Sequence, residues 1–312
     1  MTTFLKFAEV FLSDGLMYSL LALGYYISFS ILDFPDLSVE GTVLAGGVAY
    51  AALVTHQVNP WLAIIISFII GAAAGCVTGL LHVKLKIRPL LCGILVSTGL
   101  ISINLVAAVV VNGGNLKADD ALTTISIGRM EPTVLRVFPA DLINFKIDGI
   151  VNIRKLIIFA VIVVVSKIIL DIYLKTKNGL LLRATGNNTQ YVSMLAQDPG
   201  KSKIIGLAIS NGFAAVAGAL IATARAGANQ DMGLGMVVIG LASVIIGLSV
   251  FGKLRFMKPT TMVILGSIIY QACLVIATTL GVPSAYNKLI MAVLFTIALV
   301  VSGKLKKGEN KA

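Results

Sequence analysis

The chain has 312 residues, 57% of them hydrophobic and only 12% charged, with a mean hydropathy of +0.96 and a formal net charge of +11. A water-soluble fold of this length needs a much larger charged surface, and an outer-membrane barrel alternates apolar with polar positions, whereas here apolar residues run on for about 20 at a time. Composition therefore predicts an all-α polytopic membrane protein, and excess bases confined to short loops argue for membrane topology rather than a nucleic-acid partner.

Nine apolar segments follow in chain order, near 7–32, 37–56, 60–83, 89–112, 156–174, 203–224, 235–251, 259–280 and 285–303. Together they make one transmembrane domain over 1–312, a bundle of about 8–10 helices. Glu9 and Asp14 lie inside the first segment with no evident cleavage site, so it reads as part of the mature protein.

The first junction, "DFPDLSVEG" at 33–41, gathers Asp33, Asp36, Ser38 and Glu40 beside Pro35 and Gly41. That is a helix start with acidic capping. Carboxylates this close to apolar runs are expensive in lipid unless they face protein or a water-filled cavity. Two readings stand: an early helix broken or re-entrant at membrane depth, or an ordinary surface loop. Nine full spans with an internal C-terminus would put the N-terminus outside; a broken element removes that requirement.

"GAAAGCVTG" then places Gly71, Gly75 and Gly79 four apart, a bare face on which another helix packs closely, and "NGFAAVAGALIA" at 211–222 repeats the device. Lys84, Lys86 and Arg88 fill the next connection without an acid. The long connection 113–155 mixes six basic with five acidic residues, including "ADD" at 118–120. Bases return at Lys175, Lys177, Arg183, Lys201 and Lys203, then at Lys253, Arg255 and Lys258, and finally at Lys304, Lys306, Lys307 and Lys311. All these basic loops fall on one side, which the positive-inside rule makes cytoplasmic together with the C-terminus, leaving 113–155 extracytoplasmic.

The stretch "GLLLRATGNNTQYVSMLAQDPGKSK" at 179–203 is thus a polar cytoplasmic interruption between two spans. Its Gly200-Lys201-Ser202 lacks the glycine five positions before Gly200 that a phosphate loop requires; Leu195 stands there. Residues 187–197 form a short helix-capable run, with Val192, Met194 and Leu195 as apolar contacts and Arg183, Asn187, Asn188 and Gln190 as polar ones. The run is either a docking knob for a cytoplasmic partner or a solvated loop with a helical turn.

For a solute path the spans offer few polar groups. Ser97, Thr98, Asn104, Asn211 and Gln271 are visible, with Asp36, Ser38 and Glu40 at the second segment; hydrogen bonding between helices explains each equally well. Cys76, Cys92 and Cys273 share no metal spacing, and His56 and His82 are isolated, so no metal site or catalytic set is expected. An ion-coupled secondary transporter is the main alternative, although acids elsewhere in mid-span are absent.

The pattern "GLLLRATGNN…MLAQDPGKSKIIGLAISNGFAAVAGAL" resembles the cytoplasmic loop and following helix of permease subunits of ABC importers for branched-chain amino acids, ribose and related solutes. "LDFPDLSVEGTVLAGGVAYAAL" at 32–53 and "GLGMVVIGLASVIIGLSVFG" at 233–252 resemble two further elements of that family. "DFPDLSVEGTVLAGG" and "LLHVKLKIRPLLCGIL" are most similar to a subgroup associated with tryptophan, tyrosine or similar amino acids. The resemblance implies a homodimeric permease of the bacterial inner membrane, surrounded by lipid. Each copy would dock a cytoplasmic ATPase subunit that holds ATP and Mg, and would receive solute from an extracytoplasmic binding protein. This chain itself would carry no cofactor. Carried over by motif, Arg183, Ala184, Gly186, Asn187, Asn188, Gln190, Tyr191, Met194, Leu195 and Gln197 form the ATPase-coupling element. Where relatives often carry "AA…GI", this chain has "SMLAQDPG".

Overall fold

The computed structural model describes residues 2–113, 124–128, 131–137, 146–147, 151–254, 256–279 and 286–309. The long helices begin where the chain supplies an entry signal. α1 (Thr2–Tyr25) continues into a π-helical turn (Tyr26–Ile31) and stops before Pro35. α2 (Val39–Thr55) follows, then α3 (Pro60–Leu85) and α4 (Pro89–Val111), each opened by a proline at its first turn, where the missing amide costs nothing. A single turn α5 (Val134–Val137) precedes α6 (Ile153–Tyr173), α7 (Lys177–Asn187), α8 (Thr189–Met194) and α9 (Pro199–Arg225). A 3-10 turn (Gln230–Gly233) leads to α10 (Met236–Phe251), α11 (Pro259–Thr279) and α12 (Asn287–Glu309).

By length and composition, seven described helices can cross a membrane, and Val39–Thr55 and Leu289–Val300 are shorter apolar helices. Each of the nine expected segments corresponds to a helix. The second is the one that changes: 17 residues of α2 rise only about 25 Å, short of the roughly 30 Å hydrocarbon core. Of 113–155, residues 114–123 (with the "ADD" at 118–120), 129–130, 138–145 and 148–150 lie outside the described residues. Two short antiparallel pairs are described, β1 (Ile125–Ser126) with β4 (Gly227–Ala228) and β2 (Lys146–Ile147) with β3 (Val151–Asn152).

The chain forms two compact units. One comprises Met1–Tyr26, Ala140–Ile169 and Val237–Ala312. In it α1 packs on α11, where Ser267 Oγ donates to the Gly15 carbonyl (2.9 Å) and Gly15 lies against Ile268. α10 packs on α11 through Gly247 and Gly266, each set against the other helix's backbone. The other unit comprises Ile27–Pro139 and Leu170–Met236. Its centre is α9, buried along most of its length, with α2 and α3 laid along it.

The expected small-residue face of α3 meets α9: Gly71 lies on Asn211 and Ala215, Gly75 on Leu207 and Gly79 on Ile204, an antiparallel contact. On α2, Thr42 bonds to Asn211, Gly46 meets the Ala215 backbone and Gly47 lies by the Gly218 carbonyl, so the contacts rise together along both helices and α2 and α9 run parallel. These positions place backbone on backbone, which dispersion rewards where lipid offers no hydrophobic drive. α4, by contrast, turns Leu91, Leu95, Ile103 and Val110 outward.

A buried polar group fixes where α2 begins. Asp36 is 1% exposed; its Oδ1 accepts from the Ser38 backbone N–H (2.8 Å) and hydroxyl (2.6 Å), and its Oδ2 accepts from Asn211 Nδ2 (2.7 Å). Asn211 Oδ1 in turn accepts from Thr42 (2.8 Å) and Ser38 (3.2 Å). Asn211 is the thirteenth of the 27 residues of α9, so the start of α2 lies level with the middle of that span. The broken-helix reading holds. The acid of the expected cluster that caps is Asp36, which takes the free amide at Ser38, while Asp33 is exposed with φ +52°.

Asn211→Ala removes a donor from a buried carboxyl and should cost about 1–3 kcal/mol, against about 1 kcal/mol for Thr42→Val; thermal unfolding of the purified protein in detergent gives the order. Gly46→Val drives a side chain into the Ala215 backbone and should cost about 1–3 kcal/mol or more, read as loss of monodisperse protein on size exclusion.

Candidate functional site

Two sets of residues emerge from the second unit, one at the end where α3 finishes and α9 begins, the other at the start of α2.

At the helix-end site, the helix-capable run 187–197 holds α8, and a second helix not expected from sequence, α7, comes before it. α7 opens at Lys177, where Thr176 Oγ1 accepts from the Gly179 N–H (3.3 Å), and it ends at Asn187. Asn188 turns extended and caps α8, its Oδ1 accepting from the Tyr191 N–H (3.0 Å). The run then ends at Ala196 in a left-handed conformation (φ +54°), and Asp198 caps α9 by accepting from the Gly200 N–H (2.8 Å). The helix boundary therefore sits inside the expected element. Its local signal is Asn188, a residue whose side chain competes for backbone amides and so favours a cap.

Gly200, Lys201 and Ser202 occupy the first turn of α9, with Gly200 against Val83 and its amide taken by Asp198. No loop wraps around a phosphate there, so these residues do not fit a nucleotide.

α8 is held by one buried side chain and presents the rest. Val192 is fully buried, while Met194 is 82% exposed and Tyr191 and Leu195 are more than half exposed. Arg183, Asn187, Asn188, Gln190 and Gln197 are exposed, and Ala184 and Gly186 are half-buried. An isolated apolar patch of this kind on a six-residue helix, with polar neighbours, has the composition of a protein contact.

Gly186 connects this patch to the broken helix. A Cβ at Gly186 would overlap the Ile31 carbonyl, so α7 touches the end of the π-helical turn backbone to backbone. Leu182 and Leu32 pack together over Gly206 of α9. Phe34 stands edge-on to the His82 ring (centroids 5.2 Å apart); His82 Nδ1 lies 2.9 Å from the Ile87 carbonyl and Nε2 lies 3.4 Å from Lys203 Nζ. Ile31, Leu32 and Phe34 were not singled out from sequence, and His82 and Lys203 were noted there only as an isolated histidine and a loop base. Ordinary apolar or isolated residues carry no local signal of a contact made across 155 positions.

At the α2 start, the path candidates separate. Asn211 and Asn104 are both engaged between helices, Asn104 Nδ2 donating to the Gly41 carbonyl (3.2 Å). Ser97 is half-buried and its backbone supports Gly41; Thr98 is exposed and bonds back to Ile94 of its own helix (2.8 Å). Glu40 is partly exposed, with Oε1 accepting from the Gly235 N–H (3.0 Å). Gln271 belongs to the first unit; it is 5% exposed, and its Nε2 has no partner among the described residues. Thr42, absent from the expected set, lies one turn beyond Ser38 and therefore on the same face.

The family described as "Branched-chain amino acid transport system / permease component" matches residues 7–299. A tyrosine transport system permease protein of Clostridioides difficile is 37% identical over 300 residues, covering 96% of this chain and 92% of that protein. A fructose import permease protein of Bifidobacterium longum is 29% identical over 213 residues, covering 68% of this chain and 54% of that protein. A probable branched-chain amino acid transport permease protein of Methanocaldococcus jannaschii is 25% identical over 218 residues, 68% of this chain and 66% of the relative. No solved structure matches. With a family match spanning almost the whole chain and seven helices long and apolar enough to cross a bilayer, this multi-pass protein of the bacterial inner membrane belongs to the permease components of ABC-type branched-chain amino acid transport systems.

Proposed function

We propose that two copies of this chain form the transmembrane pathway of an ATP-driven importer whose solute is an amino acid, with tyrosine the first candidate. The observation that carries this reading is the end-to-end likeness to a tyrosine transport system permease, 37% identity over 96% of the chain. Solute arrives from an extracytoplasmic binding protein, and ATP with Mg is bound and hydrolysed by a separate cytoplasmic subunit.

The helix-end site supplies the mechanical connection. α7 and α8 lie on the basic-rich, cytoplasmic side and offer Tyr191, Met194 and Leu195 to the ATPase subunit. Arg183, Asn187, Asn188, Gln190 and Gln197 surround that patch with donors and acceptors. Val192 anchors α8 from beneath. Displacement of α7 by the closing ATPase reaches Ile31 through Gly186 with no side chain between them, and from Ile31 it reaches the broken segment that starts α2. A backbone contact of this kind transmits motion because close-packed protein is poorly compressible.

The decisive experiment is gentle purification of the tagged protein from its native host, with mass spectrometry of what accompanies it. A stoichiometric ATPase subunit is expected; a partnerless protein that still transports solute would sink the reading. Arg183→Glu should lower ATP-driven uptake in proteoliposomes by about tenfold or more, because a reversed charge in an interface opposes docking. Deleting 189–196 should abolish ATPase association while the helical bundle stays folded, and normal association after that deletion removes the docking role. Gly186→Val should separate ATP hydrolysis from uptake, measured as the ratio of ATP consumed to solute moved.

A further inference from the structure

Glu40 differs from every neighbouring acid in how its charge is placed. The residue beside it, Gly41, packs on Ser97 and Leu100 and accepts from Asn104. Those three residues occupy the middle of α4, which runs from Pro89 to Val111. Glu40 therefore stands near the centre of the membrane's thickness, roughly 15 Å from either edge of the hydrocarbon core. A carboxylate facing lipid at that depth is penalised by several kcal/mol, so an acid kept there faces protein or water.

Glu40 is neither paired with a basic side chain among the described residues nor fully enclosed. Oε1 is held by the Gly235 N–H at 3.0 Å, which fixes the side chain against the turn that follows Gln230–Gly233. Gly233 itself lies on the Glu40 carbonyl, so the carboxylate's backbone is clamped as well. No basic side chain pairs with it among the described residues, and its second oxygen has no partner there. The side chain is partly exposed. Asp36, the other acid at this depth, is enclosed and has both oxygens engaged.

The result is one oriented, partly accessible negative charge at mid-depth. Its chemical complement is a small cation with N–H donors. A sugar hydroxyl would gain little from the charge, and a carboxylate would be repelled by it. We propose that Glu40 receives the ammonium group of the amino acid midway through its passage. This rests on the amino-acid reading above. One free oxygen offers a single strong contact, enough to hold the ammonium and weak enough to release it, as a conducted solute requires.

The test uses the full transporter, permease with its ATPase and binding protein, in proteoliposomes with radiolabelled tyrosine and then a panel of other amino acids. Glu40→Gln keeps an oxygen that can accept from Gly235 and removes the charge, so a merely structural role would leave uptake unmoved. The expected result is about a tenfold fall in uptake, the worth of one charge-assisted hydrogen bond, with the assembled complex of normal mass on size exclusion. Glu40→Asp, which keeps the charge, should retain a measurable part of the activity. The proposal is overturned if Glu40→Gln transports like the wild type, if the Gln and Asp variants fall equally, or if the Gln variant fails to assemble. A wild-type complex that takes up no amino acid overturns the amino-acid reading and this proposal with it. Wild-type uptake alongside an unimpaired Gln variant removes only the role of Glu40.

Discussion

Placing a carboxyl group in the middle of an apolar bundle is the constraint around which the second unit is organised. Asp36 can stay there only because Ser38 and Asn211 satisfy both of its oxygens. That requirement brings α2 against α9 at one register. It sets Thr42 on Asn211 a turn later and seats Gly46 on Ala215. The short length of α2 follows from the same point: a helix that starts beside Asn211, midway along α9, has only part of the bilayer left to cross. Glu40, four residues beyond Asp36, owes its depth to the same anchor.

Small residues then do for the helices what hydrophobic drive does for soluble cores. Backbone contacts at Gly71, Gly75, Gly79 and Gly46 bring α3 and α2 close enough to α9 for dispersion and polar contacts to hold them. α7 uses the same device against Ile31, outside the regular helix pairs. The α7–α8 element and the start of α2 are therefore parts of one packed body rather than a loop and a span joined by a flexible tether.

Much of this was legible in the sequence because it depends on local chemistry. Each of the nine apolar runs located a helix, and Pro35 with its neighbouring acids located the break. The glycines of "GAAAGCVTG" announced a packing face. What escaped was anything decided by distant partners. Asp36 and Asn211 lie 175 residues apart, and nothing near either one names the other. Glu40 meets Gly235 across 195 residues. The boundary between α7 and α8 was missed for a different reason. Asn187 and Asn188 are adjacent, and only folding decides which one leaves the helix to act as a cap. Pro199 starts α9 four residues before the apolar run suggested, because a capped helix extends past its hydrophobic stretch into water.

The unequal surroundings of α9 and α4 set how freely each can change over evolutionary time. From Ser210 to Thr223 every position of α9 is buried, so a substitution there must preserve volume to within a methyl group or be matched by a second change in a neighbouring helix. Along the outward stripe of α4, Leu91, Leu95, Ile103 and Val110 are exposed, so an apolar side chain of another shape fits there at little cost to the packing within this chain. Sequence divergence among copies of this fold should therefore collect on α4 and bypass α9, so that two chains with little overall identity can still share a nearly unaltered central helix.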